Sequence, residues 1–96
     1  MSSLEDIEKN LKKYKTFLKE KCKVKKIGIF GSYSRGEATL DSDVDILIEF
    51  FEPLGWEFFD LKEFLEEVLS KKVDLVTESG LRPQMKDKIL KKVIYI

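Results

Sequence analysis

Apolar side chains recur at steps of three and four residues through the first part of the chain: Leu4, Ile7, Leu11, Tyr14 and Leu18, with Lys and Glu between them. That spacing lays one apolar stripe along a helix, predicted from about residue 4 to 21. Ser2 or Ser3, followed three residues on by Glu5 or Asp6, opens it in the manner of a capping box. The period then changes. Val24 to Phe30 reads as a first strand, in which Gly28 marks a close approach of backbone or ligand. Residues 32 to 37 are expected to make a short helical turn, and residues 39 to 42 a polar loop. In the second strand Val44, Ile46 and Ile48 share one face, while Asp43, Asp45, Leu47 and Glu49 share the other.

Pro53 and Gly55 break the chain before a second amphipathic helix, about 57 to 70, built on Phe58, Leu61, Leu65 and Val68 with Phe64 and Leu69 flanking. Lys71 and Lys72 suit the negative end of its dipole. Val73 to Thr77 is a short third strand. Pro83 fits the first turn of a last helix whose buried side carries Met85, Ile89 and Val93. Residues 93 to 96 fit either a terminal strand or simple packing. The predicted order is α-β-α-β-α-β-α, in one domain over residues 1–96. The fold class is a mixed α/β (α+β) one: a small mixed sheet of three to four strands, with helices on one face and the aspartate face open.

Composition narrows the chemistry. Ninety-six residues, 43% apolar with seven Phe, suffice for one core. The formal net charge is zero although 38% of residues are charged, so direct nucleic-acid binding is not expected. The balance hides an asymmetry. Nine lysines fall between Lys9 and Lys26, and residues 37 to 67 hold eleven acids against Lys62 alone. A solvated helix face accounts for the lysines, and a lysine-rich surface meeting an acidic partner is the sharper reading. The lone Cys22 excludes an internal disulfide and fits a reducing compartment. Without a single His, carboxylates are the available acid–base and metal-binding groups. No stretch has the length of a membrane span, and the first residues lack a signal peptide's pattern, so a cytoplasmic protein is expected.

The run Gly31-Ser32-Tyr33-Ser34-Arg35-Gly36-Glu37-Ala38-Thr39-Leu40-Asp41-Ser42-Asp43-Val44-Asp45 concentrates that chemistry. Asp43 and Asp45 project from one face of a strand start, and two carboxylates side by side need compensation. A hard divalent cation such as Mg²⁺, which takes oxygen ligands from carboxylates and substrate phosphates, supplies it. An aspartate used only as a turn or cap residue explains Asp43 but not Asp45, which lies inside a strand where Asp is poorly suited. Gly31-Ser32 at the strand end offers backbone N–H groups and a hydroxyl to an anion. Glu49 is four residues beyond Asp45, about 13 Å along an extended strand, too far to share an ion. Tyr33, Trp56 and Tyr95 fit packing better than stacking on a base.

Gly31-Ser32, the Arg35-Gly36 pair and Ser42-Asp43-Val44-Asp45 resemble the signature of the minimal nucleotidyltransferases of the DNA polymerase beta-like superfamily. The resemblance covers essentially the whole chain. It implies a third site aspartate on a later strand, Asp74 in Lys72-Val73-Asp74-Leu75-Val76. It further implies that Asp43, Asp45 and Asp74 are catalytic and hold Mg²⁺, two ions when nucleotide is bound. Gly31 and Ser32 would then hold the triphosphate of ATP. Arg35 either neutralises phosphate or bridges to a motif carboxylate, and Ser34 either joins them or caps the turn.

The implied activity is Mg²⁺-dependent transfer of AMP from ATP to a tyrosine of a HEPN-type toxin, with this chain as the antitoxin. The lysine-rich helix and the hydrophobic chain end are expected docking surfaces. A non-catalytic antitoxin that masks its partner is the alternative, and transfer to a small molecule such as an aminoglycoside ranks third.

Overall fold

The computed structural model describes residues 3–39, 41–52, 54, 55 and 57–96. Ser2 as an alternative cap, Leu40 of the polar loop, Pro53 as a breaker and Trp56 as a stacking candidate lie outside the described residues. Ser3 is the N-cap of helix α1 (Leu4–Lys13): its hydroxyl accepts from the Asp6 N–H, and the Asp6 carboxylate accepts from the Ser3 N–H. The predicted long helix is in fact two, because the chain kinks at Tyr14 (φ −101°, ψ 8°) before α2 (Lys15–Lys21). No Gly or Pro causes the break; packing does. It leaves Leu11 and Leu18 both fully buried, while Tyr14 meets Phe64 edge-on at 5.5 Å and Phe17 meets the same ring at 5.1 Å. Such ring pairs add about 0.5–1.5 kcal/mol beyond their buried area, enough to outweigh a local turn of helix.

Four strands form one sheet in the order β3-β2-β1-β4: β1 (Val24–Phe30), β2 (Val44–Phe50), β3 (Val73–Thr77) and β4 (Ile94–Tyr95). β1 runs antiparallel to β2 and to β4, and β2 runs parallel to β3. The sheet is therefore mixed, as expected. The terminal segment, left open between strand and packing, is a strand: Gly28 pairs with Tyr95 and Ile29 with Ile94. One irregularity serves the core. Val24 and Ile27 are three residues apart, so strict alternation would put them on opposite faces. A bulge between Val24 and Lys26 turns both inward.

The core face carries Ile27 and Ile29 of β1, Val44, Ile46 and Ile48 of β2, and Val73 and Leu75 of β3. Ile7 and Leu11 of α1, Leu18 of α2, and Leu61, Leu65 and Leu69 of α3 (Glu57–Leu69) cover it. The stripe of α3 is thus shifted slightly from the expected one, with Leu69 buried and Phe58 and Val68 only half-buried.

Three expectations need correction. The stretch after β1 is a run of turns and contributes no helix to the element order. The aspartate face is not open throughout: Leu47, on that face, is 2% exposed. Finally, α4 (Pro83–Leu90) buries no residue fully; Met85 is 50% exposed, and Val93 lies beyond the helix end. This helix is short and polar: its Ile89 is half-buried beside a cavity that Phe30 also lines, and Val93 after it lies against Gly28. None of the described helices is long and apolar enough to cross a membrane.

Gly28 shows how the second face is closed. A Cβ there would collide with Val93 Cγ1 and lie 3.2 Å from both Ile94 O and Tyr95 Cδ1. Gly28→Ala should therefore destabilise the domain by about 1–3 kcal/mol, the usual result of overpacking. Thermal melts of a double-mutant cycle check the cause: with Val93→Ala in the background, the loss should shrink or reverse, because the removed methyls make the room.

Candidate active site

Two rows of side chains cross the second face. Phe30, Asp45 and Asp74 are register partners across β1, β2 and β3, and Gly28, Leu47 and Val76 form the next row. Asp45 and Asp74 are direct partners on parallel neighbours, so their side chains leave the same face. Asp43 precedes β2 by one residue and is exposed, as is Asp74, whereas Asp45 is half-buried. All three sequence-predicted carboxylates thus lie at the same end of the β2–β3 pair. Glu49, one turn of the pleat beyond Leu47, instead approaches Lys25 at 3.9 Å.

The strand starts are fixed by backbone bonds. The Val44 N–H donates to Lys72 O at 2.9 Å, tying the residue between the two motif aspartates to the approach of β3. The Val73 N–H, beside Asp74, donates to Glu66 Oε2 of α3 at 3.0 Å. Glu66 was not a sequence candidate, and nothing in its spacing marks it, since the bond spans a helix end and a turn. On the other side, Ser42 Oγ accepts from the Thr39 N–H at 2.8 Å, while the Ser42 N–H donates to Thr39 O at 3.1 Å. That clasp sets the loop directly before Asp43. Asp41 belongs to it, its N–H donating to Thr39 Oγ1 at 3.3 Å.

Gly31 stands at the centre. Its φ of +72° lies in the left-handed region. A Cβ there would overlap Asp45 Oδ2 and sit 2.9 Å from Asp45 Cγ. Only glycine leaves room for that carboxylate against the turn. Ser34 Oγ donates to Gly31 O at 2.9 Å, a bond that closes the turn. The Arg35 N–H donates to Gly31 O at 3.2 Å and the Glu37 N–H to Ser32 O at 2.9 Å, winding the turn tightly. Ser32 is half-buried beside Gly31. Arg35 is exposed, and its Nε donates to Glu37 Oε2 at 3.1 Å, a partner that the sequence reading did not single out. Tyr33 is 5% exposed within the core, as packing requires, and Tyr95 is remote from the carboxylates, under Lys26 at the sheet edge.

The electrostatics follow from this placement. Burial raises the Asp45 carboxyl above its ordinary range, and the neighbouring charges of Asp74 and then Asp43 raise it further. Arg35 acts in the opposite direction and has the smallest influence of the four. Asp45 therefore feels both other carboxylates, Asp74 more than Asp43. Among the described residues no three carboxylates are closed tightly enough to enclose an ion unaided. Their donors are nonetheless all oxygens, the half-buried one is only weakly compensated by Arg35, and a hard cation is the ligand such a set fits.

A raised carboxyl binds its proton more tightly in the folded chain than in the unfolded one. Its ionisation therefore lowers stability as pH rises above the ordinary carboxylate range. In the metal-free protein Asp45→Asn should be the more stable form at neutral pH, by up to about 1 kcal/mol after solvent screening, or roughly 4–8 °C in Tm. The gap should close as pH falls below about 3.9, where the wild-type group is protonated in the folded and the unfolded chain alike. Melting curves of both proteins between acid and neutral pH measure it.

Comparison with known proteins identifies the family. The nucleotidyltransferase domain family matches residues 11–96. Protein adenylyltransferase MntA of Thermococcus cleftensis is 46% identical over 97 residues, which span 100% of this chain and 98% of that protein. A solved structure, provisionally assigned as a minimal nucleotidyltransferase, superposes with a TM-score of 0.83 at 32% identity, covering 97% of this chain and 95% of its own. A chain of a mutant form of the toxin–antitoxin MntA-HpeT superposes with a TM-score of 0.68 at 25% identity, over 100% of this chain and 72% of that one. The chain belongs to the nucleotidyltransferase domain family, on its minimal branch, and is an enzyme of nucleotidyl transfer.

Proposed function

We propose that this chain transfers AMP from ATP to a tyrosine hydroxyl of a HEPN-type toxin in the cytoplasm, with Mg²⁺, and so acts as that toxin's antitoxin. The observation that carries the reading is the Asp45–Asp74 register pair beside the Gly31 turn. Similarity to a protein adenylyltransferase and to a toxin–antitoxin structure supports the substrate and the partner.

Asp43, Asp45 and Asp74 would hold the metal. A divalent cation bound there supplies charge neutralisation at phosphate oxygens and acidifies an acceptor hydroxyl. The remaining work falls to the chain itself. Gly31 and Ser32 present backbone N–H groups to the triphosphate, and the positive φ of Gly31 keeps that surface free of a side chain. Arg35, held by Glu37, lies close enough to Asp45 to act on it, so the carboxylate-bridging role and the phosphate role are both open to one guanidinium. The acceptor oxygen forms its bond to the α-phosphorus, the α–β bridging bond breaks, and pyrophosphate leaves with the electron pair. The hydroxyl proton passes to solvent. Transfer of this kind is mostly positioning and charge stabilisation, which suits a chain without histidine.

Incubating the protein with a HEPN-type toxin, α-labelled ATP and Mg²⁺ tests the proposal. Label is expected on the toxin, and chelation should abolish it. Asp43→Ala or Asp45→Ala should reduce labelling at least about 100-fold, equivalent to roughly 3 kcal/mol of transition-state stabilisation. A tight complex that silences the toxin without label would favour masking, and turnover of small alcohols or antibiotics without any partner would favour the small-molecule reading.

Metal binding has its own readout. Mg²⁺ with a non-hydrolysable ATP analogue should raise the Tm of the wild type, because a ligand bound only to the folded state stabilises it. Asp45→Asn, already relieved of the crowded charge, should respond little.

A further inference from the structure

A cavity of about 370 Å³ opens between the turn after β1 and helix α4, within the size range of small-ligand pockets. Arg35, Lys88 and Lys92 line it, and Phe30, Met85 and Ile89 supply apolar surface. Gly31 lines it too, and Gly31 also abuts the Asp45 carboxylate. Three cationic side chains thus line a cavity bordered by the same glycine that abuts the Asp45 carboxylate.

We infer that Lys88 and Lys92, which line this cavity together with Arg35, bind the distal phosphates of the nucleoside triphosphate. The inference rests on the nucleotidyl-transfer reading above and extends it to a helix that the sequence motif does not include. A helix end attracts lysines through its dipole, which explains either residue singly. It does not explain why both converge with an arginine on one cavity bordered by the Gly31 turn. Like charges gathered this way repel unless an anion joins them. Among the described residues none of the ion pairs involves Lys88 or Lys92; Arg35 alone is engaged, by the exposed Glu37. A triphosphate fits both halves of the arrangement. Its α-phosphate belongs with the carboxylates and their metal, and its distal phosphates are the compact, multiply charged group that lysines hold as point charges. The apolar wall explains the half-exposed Met85: it borders a cavity and does not seal a core.

Titration calorimetry on the full chain, with Mg²⁺·ATP, tripolyphosphate and AMP as probes, tests the inference. Lys88→Ala and Lys92→Ala should each weaken Mg²⁺·ATP and tripolyphosphate roughly tenfold, while AMP binding stays within about twofold of wild type. The Arg variants at both positions should keep most of the affinity. Lys9→Ala with Lys12→Ala, on α1, matches the charge change away from the cavity and should leave all three ligands unaffected. In the labelling assay the lysine variants should raise KM for ATP with little change in kcat. If wild type binds Mg²⁺·ATP and the double lysine variant binds it equally well, the subsite assignment is wrong while nucleotidyl transfer stands. Equal weakening of AMP would also overturn it, since the lysines would then act on the α-phosphate. Should wild type bind tripolyphosphate through these lysines but transfer no label, the subsite survives and the transfer reading falls.

Discussion

Asp45 is held against the turn at Gly31 and beside Asp74, and much of the molecule is arranged around keeping it there. A strand interior is a poor place for a carboxylate, and a second one on the neighbouring strand makes it worse. The chain fixes the pair through hydrogen bonds on both sides: the Val44 N–H to the Lys72 carbonyl, the Val73 N–H to the Glu66 carboxylate, and the Thr39–Ser42 clasp before Asp43. None of these neutralises the charge. They set position and leave the electrostatic deficit in place.

The sheet divides the labour between its faces. One face is an unbroken set of β-branched and leucine side chains under α1, α2 and α3, and it supplies the stability. At about 1.5–3 kcal/mol for each large side chain fully buried, even a few such residues outweigh the repulsion at the other face. That other face is partly covered as well, since Leu47 is buried there and Gly28 admits Val93. The cover is thin toward the aspartate row and closes toward β4. The site can therefore stay accessible while the middle of the sheet stays dry.

Much of this was legible in the sequence. Period-two alternation placed Val44, Ile46 and Ile48 opposite Asp45, and the strands at 24–30 and 73–77 lie where their β-branched runs put them. The resemblance contributed Asp74, which its own surroundings mark only weakly. What local pattern missed was decided by distant contacts. The kink at Tyr14 follows from Phe64, some fifty residues on. The last helix has a periodicity that suggested a buried side, yet it buries no residue fully. Glu66 and Glu37 look like ordinary solvated acids until the fold brings Val73 and Arg35 to them.

Gly31 ties these levels together. Its positive φ ends β1, its missing side chain admits Asp45, and its carbonyl accepts from Ser34 Oγ and the Arg35 N–H. Any side chain here would strain the backbone and push the carboxylate off its place at once. The same bare stretch of backbone borders the cationic cavity beside α4. Gly31 thus borders both the Asp45 carboxylate and a cavity that Arg35, Lys88 and Lys92 line. A metal–triphosphate, positive at one end and strongly negative along its tail, is complementary to that ordering of charge, and neither free metal nor free nucleotide satisfies both sides alone.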